Sequence, residues 1–118
     1  MKLKKIIIAT VETDTMVEFY NGVFASALEP FEAMGTVLHR GQLAEIDLLF
    51  CPNEVLGIRA EKNRQQLSFV VEDLEVDVEQ VQRFGGEKVG KIQNSSDGRV
   101  CGVIDPDGNT IEFIEASN

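Results

Sequence analysis

Glu112 is the residue whose type and setting come closest to chemistry. It follows Asp105-Pro106-Asp107-Gly108-Asn109. These are turn dipeptides, because Pro presets φ while Gly and Asn tolerate positive φ. The next stretch, Thr110 to Glu115, alternates, with Ile111 and Phe113 on one face and Thr110, Glu112 and Ile114 on the other. A carboxylate therefore stands midway along a largely apolar surface, where it either binds something or is paired by something.

Three further strands carry the same kind of mixed face: Lys5, Ile7 and Ala9; Glu45, Asp47 and Leu49; Gln66, Ser68 and Val70. Their opposite faces are purely apolar: Ile6 and Ile8; Ile46, Leu48 and Phe50; Leu67, Phe69 and Val71. That apolar set, with Ile111 and Phe113, should lie beneath helices. A face open to water would hold fewer Ile, Val and Leu, and a core would hold fewer charges. Half polar and half apolar is what lines a ligand cavity. A partly covered sheet or a subunit interface is the competing reading.

The elements that position these residues occur twice. Lys4 to Val11 is a β-branched run, and Glu12-Thr13-Asp14-Thr15 is a helix-start cluster in which Thr15 and Glu18 fit a capping box. Met16, Phe19, Tyr20, Val23 and Phe24 recur at helical spacing. Short strands are expected near Phe31–Met34 and Thr36–His39, then a turn at Arg40-Gly41-Gln42 and a strand from Ala44 to Phe50. The pattern restarts with a strand at Gln66–Glu72. Asp73 caps a helix whose Leu74, Val78, Val81 and Phe84 share a stripe, closed by Gly85-Gly86. Strands are expected at Glu87–Gln93, Arg99–Asp105 and Thr110–Glu115. Each half reads β-α-β-β-β, over 1–50 and 65–118, with 51–64 as linker. Lys5 then corresponds to Gln66, and Asp47 to Glu112.

Bulk properties narrow the function. The chain has 118 residues, 43% of them hydrophobic, which suffices for a buried core. No apolar run approaches the roughly 18–20 residues of a membrane span. Met1 to Ile8 begins basic, but its short apolar run meets Glu12 and Asp14, so it is not read as a secretion signal. The expected location is cytoplasmic, where Cys51 and Cys101 stay reduced. A net charge of −9 repels phosphate backbones, which argues against nucleic acid as a partner.

Other signals are weaker. Gly85 to Lys91 matches GxxxxGK, but Ile92 follows where a phosphate loop needs Ser or Thr, and the segment runs from helix to strand. A catalytic thiol needs a base or positive field beside it, which nothing supplies for Cys51 or Cys101. His39, the single histidine, is expected at a surface or edge. Tyr20 belongs first to the helix stripe. The acids of Glu72–Glu79 read as a solvated helix face with N-terminal dipole complementarity.

The paired modules, Phe19-Tyr20 in the first helix, "LSFVVEDLE" opening the second module and the ending "DPDGNTIEF" together resemble the vicinal oxygen chelate superfamily: the glyoxalase, bleomycin-resistance and extradiol-dioxygenase group. The resemblance covers nearly the whole chain and implies an α+β, glyoxalase-like domain over 1–118. In it, two tandem βαβββ modules curl mixed sheets into a cup. It also implies metal ligands from the first and last strands of each module, here Lys5, Asp47, Gln66 and Glu112. A protonated lysine has no lone pair for a metal, and the usual pair of histidines is absent. The resemblance therefore points to a metal-free member in which Lys5 and Glu112 pair inside the cup. If an ion is bound, its ligands are Asp47, Gln66 and Glu112.

The leading expectation is a protein that binds a small organic molecule in this cup, with Lys5, Asp47, Gln66 and Glu112 as polar contacts and Ile7, Val70 and Ile114 as the apolar wall. The alternative is a divalent-metal-dependent lyase or isomerase of the glyoxalase type, the ion acting as a Lewis acid. A metal-free enzyme using Lys5 on an oxyanion or as a Schiff base is a third reading. If the chain catalyses a reaction, Glu112 and Lys5 are its catalytic candidates. No cofactor and no membrane partner are expected, and a homodimer is.

Overall fold

The computed structural model describes residues 1–57 and 62–116. The first module runs β1 (Lys5–Thr10), α1 (Thr13–Phe24), β2 (Glu29–Ala33), β3 (Thr36–Leu43) and β4 (Ile46–Pro52). A one-turn helix, α2 (Asn53–Leu56), opens the linker. The second module runs β5 (Leu67–Val71), α3 (Leu74–Arg83), β6 (Glu87–Ser95), β7 (Gly98–Ile104) and β8 (Thr110–Glu115). Two four-stranded mixed sheets result, ordered β1-β4-β3-β2 and β5-β8-β7-β6. In each, the first and last strands of the module pair in parallel at the centre-side edge, and the rest is antiparallel. No helix among the described residues is long and apolar enough to cross a membrane.

The alternation places the core as expected. Ile8, Leu48, Phe50, Ile111 and Phe113 are buried with Met16, Phe19 and Tyr20 of α1 and Leu74, Val78 and Val81 of α3, and Ile6, Leu67 and Phe69 pack against that cluster. Aromatic rings join the modules through it. Within the first module Tyr20 meets Phe50 edge-on at 5.1 Å between centroids, and Phe24 crosses to the second, 4.7 Å from Phe69.

The DPDGN turn proves to be a clasp between modules. Asp107 accepts hydrogen bonds from the backbone N–H groups of Val11 (2.8 Å) and Glu12 (2.9 Å), so a turn from the second module caps the first helix. The Thr15–Glu18 capping box does not form; the N-cap Glu12 makes no side-chain cap bond, and Thr15 donates to the Glu12 carbonyl at 2.9 Å. Asp105 accepts from the Tyr20 hydroxyl (2.8 Å), the backbone N–H of Asn109 (2.9 Å) and the Asn109 side-chain amide. Asn109 in turn accepts from the backbone N–H of Asn63, 2.6 Å away, at the end of the linker. Helix α3 is capped by Asp73, as the sequence suggests, at 3.2 Å from the Val76 nitrogen, and Glu115 also accepts from the Leu74 N–H at 2.8 Å.

Strand β2 runs Glu29–Ala33 rather than Phe31–Met34, and two larger differences from the sequence reading have a physical reason each. Arg40-Gly41-Gln42 is not a turn but the interior of β3; the chain reverses at Ala44, which takes φ 54°, and β4 starts at Ile46. Gly41 is there for close approach: a Cβ on it would stand 2.2 Å from the Ser26 carbonyl oxygen. Strand β6 is longer than expected and breaks its register between Val89 and Gln93, with Gly90 at φ 68°. Glycine inside a strand pattern marks such a bulge.

Candidate functional site

Each sheet turns its apolar face to the helices and leaves the mixed face open. On the first sheet the register sets Lys5, Asp47 and Gln42 side by side, with Ile7, Leu49 and Arg40 in the next row. Arg40 lies opposite Glu29, and Leu38 opposite Phe31. All of these but Ile7 line a hollow of about 750 Å³, together with Ser26 at its margin. On the second sheet Gln66 and Glu112 line a separate hollow of about 340 Å³, which the β6 bulge opens and Lys91 and Gly102 border. A third recess, about 380 Å³, lies at the seam between the sheets and takes in Ile7, Leu67 and Thr110.

The sequence-predicted residues are thus divided. Lys5 and Asp47 share the first hollow; Gln66 and Glu112 share the second; Lys5 and Ile7 border the seam. Val70 and Ile114 are register partners on the open face of the second sheet and border none of the three. Val70 is 76% exposed and Ile7 47%.

The expected pairing of Lys5 with Glu112 does not occur. Among the described residues the ion pairs are Lys4–Asp47 at 2.6 Å and Arg99 with both Glu75 and Glu115. Lys4, not Lys5, holds Asp47, and its hydrogen bond and charge lower the Asp47 carboxyl below its ordinary value, with a smaller push from Lys5. Glu112 accepts instead from the Ser68 hydroxyl at 2.8 Å, its neighbour across the β5–β8 ladder. Alternation told correctly which face each residue occupies. It could not tell that the charges lie on separate hollows. A double-mutant cycle on Lys5→Met and Glu112→Gln should therefore be additive within the roughly 0.5 kcal/mol scatter of uncoupled sites, measured by urea unfolding; a larger coupling would restore the pair.

The family's metal chemistry does not fit these donors well. Lys5 offers no lone pair while protonated, Asp47 is engaged by Lys4, and Gln66 and Glu112 border a different hollow from Asp47. Among the described residues one triad of acidic groups, Asp73, Glu75 and Glu115, brings its oxygens within 4.8 Å. It lies outside the cup, at the start of α3, where Arg99 already neutralises Glu75 and Glu115.

Sequence reasoning missed Phe31, Arg40, Gln42 and Ser26. Arg40 lies over the Phe31 ring, 4.5 Å from guanidinium carbon to centroid. Ser26 is buried, and its hydroxyl has no hydrogen-bond partner among the described residues. The signal was available in part: once Gly41 is read as strand, Leu38, Arg40 and Gln42 fall on the face of Asp47. Tyr20 borders the recess at the seam between the sheets, and its hydroxyl donates to Asp105. Cys51 and Cys101 are buried free thiols, and burial raises both above the ordinary thiol value. His39 is half-buried on the core face opposite Phe50 rather than at the surface.

The model of the glyoxalase-like domain family matches residues 5–114. Among solved structures, a glyoxalase/bleomycin resistance protein/dioxygenase family enzyme from Burkholderia phytofirmans PsJN superposes with a TM-score of 0.78 at 15% identity, covering 99% of this chain and 100% of that one. The antibiotic binding protein TnmS3 from Streptomyces sp. CB03234 gives 0.76 at 16% identity, over 99% and 97%. The fosfomycin resistance protein FosX from Mesorhizobium loti gives 0.66 at 16%, over 99% and 91%. These identities establish a shared fold. No curated protein matches the sequence.

Proposed function

The chain belongs to the glyoxalase-like domain family of the vicinal oxygen chelate superfamily, and on that premise we propose that it binds a small organic molecule on the open faces of its sheets without a resident metal ion. The observation that carries this reading is the first hollow. It is large enough, at about 750 Å³, for a drug-sized ligand, and it sets Lys5, Arg40 and Gln42 beside Phe31, Leu38 and Leu49. Similarity in fold to an antibiotic binding protein and to fosfomycin resistance proteins supports a ligand of that general kind. The donor set supports the absence of a metal: a lysine stands at one ligand position, and an ion-paired aspartate at another.

The protein works, on this proposal, as a cytoplasmic homodimer. The support for assembly is the apolar surface each chain leaves uncovered on its open faces, at Ile7, Val70 and Val89. Sedimentation at micromolar concentration should give twice the mass of one chain; a monomer would oppose the dimer. The charge of −9 supports a small molecule over nucleic acid as partner.

A thermal-shift screen tests the binding reading. Small organic compounds should raise the melting temperature equally with chelator and with added magnesium, manganese, zinc or nickel. At a ligand concentration of 100 Kd the stabilisation is about 2.7 kcal/mol. Shifts that appear only with a divalent ion would move the protein to the metal-dependent lyase or isomerase reading. No shift across a broad library would oppose a ligand cup.

A further inference from the structure

We infer that the first-module hollow selects a planar organic anion, an aromatic carboxylate being the simplest case. The inference rests on the reading that the open faces bind a small molecule, and it names the chemical class.

The first observation is charge. The chain as a whole carries −9, yet this hollow inverts the sign. Asp47 is neutralised by Lys4. Lys5 and Arg40 border the hollow with no carboxylate within 4 Å among the described residues, against a single remaining acid, Glu29. Glu29 stands opposite Arg40 in the ladder, so the two cations against that one acid leave the hollow with a net positive charge, which a cationic ligand would meet as repulsion. An anion would find two charge-assisted donors, which form shorter and stronger hydrogen bonds than neutral ones.

The second observation is shape. Arg40 sits over the Phe31 ring at 4.5 Å. Stacking fixes the guanidinium in place while leaving its N–H fork free, the arrangement that suits bidentate carboxylate recognition. Phe31, Leu38 and Leu49 supply apolar wall on either side of that fork. A flat ring can lie along the wall with its acid group at Arg40.

The third observation is independent of both. Ser26, 1% exposed, borders the hollow, and its buried hydroxyl has no partner among the described residues. An orphan hydroxyl is costly to bury, and an anion's oxygen is an acceptor it lacks. Two left-handed alanines, Ala25 at φ 51° and Ala27 at φ 52°, hold the segment, and the Ser26 carbonyl accepts from the Gln42 N–H at 2.8 Å. The second hollow shows no such set: Glu112 stands there with Lys91.

The test uses one ring in three charge states: 2-naphthoate, 2-naphthamide and 2-naphthylmethylamine, titrated into the labelled full chain and followed by amide chemical shifts. Naphthoate should bind tightest, shift Leu38, Gln42 and Leu49, and weaken with salt. Arg40→Met and Lys5→Met should each weaken it about tenfold or more, and Arg83→Met, remote from the hollow, should not. Lys5 and Arg40 are exposed, and melting curves will confirm that the variants fold. If the amide or amine binds these residues better than naphthoate, or if Arg40→Met leaves naphthoate binding unchanged, the anion selectivity is overturned while the ligand cup stands. If none of the three shifts these residues, the inference is overturned as well, and the thermal-shift screen separately decides the cup.

Discussion

Asp105→Ala should cost about 3–5 kcal/mol of unfolding free energy. The carboxylate is 2% exposed and gathers the Tyr20 hydroxyl, the Asn109 N–H and the Asn109 amide. Removing it strands buried donors, each worth about 1–3 kcal/mol when left without a partner. Against a total stability of roughly 5–15 kcal/mol, the loss is large. It should also loosen the capping of α1 by Asp107, because the backbone N–H of Asp107 is itself fixed by Asp105 at 3.0 Å. Urea unfolding measures it, and a loss below about 1 kcal/mol would contradict the clasp.

The same residue sets a pH dependence. Burial raises the Asp105 carboxyl above its ordinary value, with the Asn109 and Tyr20 hydrogen bonds opposing that rise. The folded state then holds more protons than the unfolded state between the ordinary value of 3.8 and the folded one. Stability from this group therefore falls as pH rises through the folded value, and returns as pH drops toward 3.8. Other carboxylates, Asp47 among them, shift the opposite way, so the comparison must isolate the residue. The advantage of the native chain over Asp105→Asn should grow as pH falls from 7 toward 4. An advantage that shrinks would reverse the sign.

Gly41→Ala is the second large effect. A Cβ there would meet the Ser26 carbonyl oxygen at 2.2 Å and the Leu28 nitrogen at 3.0 Å. Both are backbone atoms, so no flexible side chain can swing aside. Overpacking of this kind costs about 1–3 kcal/mol and occasionally more. The shift must be taken up by the Ala25–Ala27 segment, which also holds Ser26 at the hollow. The variant should therefore lose stability and naphthoate affinity together. A chain that melts as the native one does would mean the segment is free to move.

Which parts of this were legible in the sequence follows from the range of the interactions involved. Alternation in β1, β4, β5 and β8 is local, and it correctly placed Ile8, Phe50 and Phe113 in the core and Phe69 against it. The Asp73 cap, which accepts from the Val76 N–H three residues on, is local too. The failures are all at long range. The helix starts at Thr13, too early for a Thr15–Glu18 box, and it is Asp107 from the far end of the chain that holds the N–H groups of Val11 and Glu12 at its start. Gly41 looked like a turn because the backbone it must clear, at Ser26, is invisible to local pattern. Lys5 and Glu112 occupy open faces as expected, but each acid is taken within its own sheet, Asp47 by Lys4 and Glu112 by Ser68. The Arg40–Phe31 shelf was hidden behind the misread turn.

Elemental analysis of the chain, purified without chelator and dialysed against metal-free buffer, tests the central claim most directly. The claim is that a family cup works here without an ion. The account predicts far less than one equivalent of zinc, nickel, iron or manganese per chain, unchanged by Glu112→Gln. Near-stoichiometric metal that is lost in Glu112→Gln would contradict it.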